Sequence, residues 1–286
     1  MGIISKYFRT AYPIPSLRIG YTIILNGLHH LTHHDYAEYL ASHLDYWIII
    51  EGANDNQGST SWCKPMQQTY HNNGASIDGT VPFLEDLEKK YNSVICKYAN
   101  GVWESKDAKI NAAIEVVKSL TQSCFLWEID CDEQWTIKQM EYAEKELILK
   151  RGKTGLFYCD FFVGKDLLAK GDWGEGYACP YRRLWNWAGE YYQAHEPPLL
   201  EGGNGKEVLL NPRFRHYAYY FEKDVAFKNE WYGDHEGILD RWKLLQRETQ
   251  FPQNITKLLS NTGKWGKTNT LIVKESPQPT VPPFQT

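Results

Sequence analysis

An α/β chain folded as a three-layer α/β/α sandwich is what the sequence predicts, on three observations. Between residues 19 and 130 four apolar, strand-like runs alternate with helical patterns. The connections that carry those helices are of the kind parallel neighbours need. Each run ends in a polar residue, Asn26, Glu51, Asn100 or Asp130, and ligands of open α/β sheets gather outside the carboxyl ends of strands.

In chain order, Ile19 to Leu25 reads as a buried strand closed by Asn26-Gly27. A helix is expected from Thr32, a candidate N-cap, with Tyr36, Leu40 and Leu44 on one face. Tyr46 to Glu51 is a second buried strand, and residues 53–82, rich in Asn, Gly, Ser and Thr, form a long polar loop of the sort kept for function. A short helix from Pro82 to Tyr91 leads into a third strand, Ser93 to Tyr98. From Lys106 to Leu120, Ile110, Ala113, Ile114, Val117 and Leu120 make one apolar stripe, with Lys106, Lys109 and Lys118 largely outside it. The fourth strand, Ser123 to Ile129, runs into Asp130-Cys131-Asp132-Glu133. A helix over 135–150 and a strand over Gly155–Val163 follow. Helical periodicity returns from about Glu236 to Arg247, and the proline-rich end, 276–286, reads as an extended tail.

The totals exclude several classes. With a net charge of −4 and no long Lys/Arg stripe the chain offers nothing to nucleic acid. No run approaches the roughly 18 apolar residues of a membrane span, and Met1–Tyr12 has no signal-peptide core. The six cysteines contain no C-x-x-C pair and read as reduced thiols of a cytoplasmic protein. Eleven Trp and nineteen Tyr supply flat rings suited to sugar faces, although most such rings fill cores.

The acidic stretch carries the most chemistry. Asp130 and Asp132 at a strand end can turn toward one hard divalent ion, Mg²⁺ or Mn²⁺, one directly and one through water, leaving positions for phosphate oxygens. In the competing reading the same acids sit in the first turn of the helix that begins near Gln134. His29, His30, His33 and His34 offer i,i+4 pairs for zinc, but nothing at matching spacing completes a set, so a solvated helix start is preferred.

Taken together, the strand-helix order, Lys106-Asp107-Ala108-Lys109-Ile110-Asn111 and Asp130-Cys131-Asp132-Glu133 resemble the nucleotide-sugar-binding half of GT-A glycosyltransferases, especially family-2-like ones. Tyr191-Tyr192-Gln193-Ala194-His195-Glu196 is similar to their acceptor-side His-Glu motif. Phe214-Arg215-His216-Tyr217-Ala218-Tyr219, with Lys228 and Tyr232 beyond, is similar to their late histidine segment. The resemblance covers roughly 19–235 and departs from the family at Asn26-Gly27 and Glu51, where Asn-Glu and Asp are usual.

It implies a mixed central sheet, a UDP- or GDP-type sugar donor, and a glycan or other hydroxyl acceptor. It divides the chain into an N-terminal extension (1–18), a nucleotide-sugar-binding half (19–150), an acceptor half (151–235), a C-terminal helical segment (236–275) and the tail. Asp132, assisted by Asp130 and His216, would hold Mn²⁺ or Mg²⁺ against the diphosphate. Glu196 would serve as base for an inverting transfer, oriented by His195, with Asp234 and Glu236 in reserve. Asn26, Glu51, Lys106 and Lys109 would meet the donor, and Trp173, Tyr181, Arg182, Trp185 and Trp187 would form an acceptor platform. A glycoside hydrolase on an eight-stranded barrel and a non-catalytic sugar- or nucleotide-binding protein are the alternatives.

Overall fold

The computed structural model describes residues 14–171, 180–233, 235–259 and 269–274. Trp173, Cys179, Asp234 and the tail 276–286 lie outside the described residues. The first half runs β1 (Arg18–Ile24), α1 (Leu28–Leu31), α2 (Tyr36–His43), β2 (Tyr46–Glu51), α3 (Thr80–Lys90), β3 (Val94–Lys97), α4 (Lys106–Leu120) and β4 (Cys124–Glu128). After it come β5 (Glu133–Gln134), α5 (Ile137–Leu149), β6 (Thr154–Phe157), β7 (Cys159–Gly164), β8 (Leu167–Lys170), β9 (Tyr181–Trp187), β10 (Tyr192–Ala194) and β11 (Leu199–Leu200). The remainder is β12 (Glu207–Leu209), β13 (Phe214–His216), α6 (Glu222–Trp231), α7 (Ile238–Leu245), β14 (Gln253–Asn254) and β15 (Leu271–Lys274).

The fold is the expected three-layer α/β/α sandwich on a mixed central sheet, ordered β12-β6-β9-β4-β1-β2-β3. β3, β2, β1 and β4 are parallel, while β9 lies antiparallel between β4 and β6. Alternation along the strands explains the layers. Trp47, Ile49, Phe125 and Trp127 face a core shared with α2, α3 and α5, whereas Ile19, Tyr21, Ile48, Ile50 and Leu126 face α4. The sheet is open, ending at β12 and β3, so a barrel hydrolase has no scaffold among the described residues.

A second sheet, ordered β14-β15-β8-β7-β13-β5, accounts for the later half. The single strand expected over Gly155–Val163 is two strands in two sheets, because the chain leaves the large sheet at Tyr158. Among the described residues of the segment 236–275 only α7 is α-helical, and β14 and β15 extend the small sheet beside β8.

Three local expectations are corrected. Thr32 makes no side-chain N-cap and closes α1 instead: His34 and Asp35 adopt positive φ, so the chain breaks between α1 and α2. Lys109 is 2% exposed and not on a solvated face. Asp130 and Asp132 do not cap α5, which starts at Thr136 with a complete capping box to Gln139.

Candidate active site

A cleft of about 850 Å³ opens at the carboxyl ends of β1 and β4 and extends under β13 and α6. Asn26, Lys106, Lys109, Asp130, Asp132, Arg182, His195, Glu196 and His216 all line it; Glu51 and Trp185 do not.

Pairing of short strands builds its centre. The turn after β4 closes with Glu133 N–H donating to the Asp130 carbonyl, and β5 then pairs with β13 so that His216 stands opposite Glu133. The Tyr217 N–H donates to the Asp132 carbonyl at 2.7 Å and ties the turn to the late histidine segment. The result sets His216 Nε2 3.6 Å and Lys228 Nζ 3.8 Å from Asp132 Oδ2. Burial alone would raise the Asp132 carboxyl, but the charges of His216 and then Lys228 outweigh it and hold it well below the usual range. The His216 ring is fixed by edge contacts with Phe161 and Tyr181, its Nδ1 buried without a hydrogen-bond partner among the described residues.

A 3.6 Å gap is too long for a hydrogen bond and within the span of two atoms sharing one ion at about 2 Å from each. One ionised carboxylate and one adjacent imidazole, which binds a metal through a nitrogen lone pair, therefore fit Mn²⁺ or Mg²⁺. Asp130 fits less directly, because its Oδ2 accepts from Arg183 Nη2 at 2.8 Å. Arg183 also donates to Glu133 through Nε and to Glu128 through Nη1 at 3.0 Å. One buried guanidinium thus serves three carboxylates. Burial pushes Glu128 and Glu133 up to about 8 each, against the pull of Arg183.

The acceptor-side residues arrive from α4 and the β10–β11 hairpin. Asp107 on α4 accepts from the Ser59 N–H and the His195 N–H, pinning the loop and hairpin to one helix start. Beside it Lys106 Nζ donates to Glu196 Oε1 at 2.6 Å. His195 is buried, and burial followed by the charges of Lys106 and Arg183 keeps its imidazole well below the ordinary histidine value, so the ring is neutral.

Other expected donor and acceptor contacts are redirected. The Asn26 side chain donates to the Tyr70 carbonyl and accepts from the Ile77 N–H, and Glu51 Oε1 accepts from the Ser76 N–H, so both anchor the 53–79 loop. Lys109 Nζ donates to the Gly52 carbonyl, and its burial lowers it to about 7. Trp185 and Trp187 are core residues on the α4 side, which removes them from an acceptor platform. Arg182 lines the cleft with its guanidinium paired to Glu207 at 2.6 Å. Glu236 is exposed and outside the cleft.

Of the four histidines His30 is buried, His29 and His33 are half-buried, and His34 is exposed. α1 ends before an i,i+4 pair can form; His33 and His34 stack on each other, while His29 and His30 both meet Asp224 of α6. Sequence reasoning missed Asp224, Arg183 and Glu128. Glu128 alone left a signal, a charge inside an otherwise apolar strand.

No protein-family model and no curated protein matches the chain. Among solved structures it is similar to S. aureus TarS (residues 1–349) in complex with UDP-GlcNAc, with a TM-score of 0.35 and 12% identity. The match covers 52% of this chain and 36% of that one.

Proposed function

We propose that this chain is a metal-dependent, inverting glycosyltransferase that moves a sugar from a UDP- or GDP-type donor to a hydroxyl of a glycan. The observation that carries this reading is the meeting of Asp132, His216 and Lys228 at the carboxyl end of β4, in one cleft with Glu196.

Breaking the anomeric C–O bond leaves negative charge on the departing nucleoside diphosphate. Asp132 and His216, assisted by Asp130, would hold Mn²⁺ or Mg²⁺, which when bound would supply Lewis-acid stabilisation of that charge. Lys228, kept near Asp132 by α6, adds a fixed cation to the same place. Glu196 takes the proton of the acceptor hydroxyl as it attacks, and Lys106 holds its carboxylate in position between turnovers. Neutral His195 packs beside both without competing for the proton.

Replacing Glu196 with Gln keeps an oxygen for Lys106 and removes the base. Transfer from the donor, followed by release of nucleoside diphosphate with Mn²⁺ present, should fall by about 10²-fold or more in kcat while donor affinity stays within about threefold. A variant with near-normal kcat would retire Glu196 as the base.

A further inference from the structure

We propose that His29, His30 and Asp224 form a second metal site, selective for a borderline divalent ion such as Zn²⁺, that fastens α6 to α1. His29 Nε2 lies 2.8 Å from Asp224 Oδ1, and His30 Nε2 lies 2.9 Å from Asp224 Oδ2. The ligand atoms all fall within 4.8 Å of one another. The three side chains are 14%, 5% and 18% exposed, so this is a built pocket and not a surface cluster. Phe221 packs edge-on against both imidazoles, at 4.9 and 5.2 Å, and fixes their orientation before any ion arrives.

Charge favours a cation here. The Asp224 carboxylate presents one oxygen to each imidazole Nε2. Lys228, one turn along α6, is already committed to the Ala218 carbonyl and to Asp132, and so does not neutralise Asp224. Two imidazoles and one carboxylate suit Zn²⁺ far better than Mg²⁺, and three protein ligands leave a position toward the cleft that these residues line. An ion at this point would stiffen the helix that presents Lys228 to Asp132. The site does not depend on the cleft's being a transferase centre.

The test uses the full chain, stripped with a chelator and titrated with Zn²⁺ while histidine nitrogens are followed by ¹H–¹⁵N NMR. Nε2 of His29 and of His30 should both move to metal-bound positions, in the wild-type chain and equally in Asp132→Ala. The His30→Gln variant should lose at least about tenfold in Zn²⁺ affinity. Resonances of His29 and His30 that stay still while Zn²⁺ binds elsewhere would overturn the proposal without requiring any variant to fold. Unchanged Zn²⁺ affinity in a folded His30→Gln chain would do the same.

Discussion

Asp132 shows how one residue acquires chemistry from neighbours far away in the chain. Its carboxyl is held ionised in a buried place by His216 and Lys228, both brought to it by later elements. Lys109 is the opposite case, a cation that burial pushes toward neutrality at about 7 from an unfolded value of 10.5. Between those values the unfolded chain binds more protons than the folded one, so the native state gains stability as pH rises through this window and loses it as pH falls toward 7. Lys109→Met removes the effect. Chemical unfolding of both chains should show a stability difference that is flat below pH about 7 and moves in favour of the wild type by on the order of 2 kcal/mol by pH about 9. A difference that does not change with pH would mean Lys109 stays charged when buried. The sequence singled out both Lys109 and Asp132, but it carried no sign that Lys109 would be buried beside backbone carbonyls.

At the scale of elements, continuous apolar runs and helical stripes were legible. Tyr46–Glu51, buried along nearly its whole length, and Lys106–Leu120, with its apolar stripe at helical spacing, stand where their patterns place them. Contacts made across elements were not. Trp185 reads as a platform ring until β9 is inserted antiparallel beside β4, whereupon its position turns inward to the α4 core. Asp224 lies 195 residues from His29 and left no local pattern. The 53–79 loop is likewise fixed from outside through Asn26 and Glu51, and within itself by the Gly74 carbonyl, which accepts from the Ala53 N–H. Gly74 has φ +89°, and a Cβ there would stand 1.9 Å from the Gly101 carbonyl oxygen. Gly74→Ala should therefore cost about 1 to 3 kcal/mol, read as a lowered urea midpoint, and should loosen the loop that borders the cleft. An unshifted midpoint would show that the loop contributes nothing to the folded state.

The whole molecule joins two sheets through a change of direction at Tyr158, and the cleft lies where the acidic turn of the large sheet meets β13 of the small one. Neither sheet alone makes the site: the turn after β4 supplies Asp132, β13 supplies His216, α6 supplies Lys228 and the loop of the β10–β11 hairpin carries Glu196. Under the proposed function the donor diphosphate would sit at the acidic turn with its sugar toward Glu196. The most direct test is calorimetric titration of the wild-type chain and of Asp132→Ala with UDP and with GDP, each with and without Mn²⁺. The account predicts that one nucleotide binds the wild type, that Mn²⁺ is required, and that affinity drops at least about tenfold in Asp132→Ala. Binding of neither nucleotide, or binding indifferent both to Mn²⁺ and to the loss of Asp132, would contradict it.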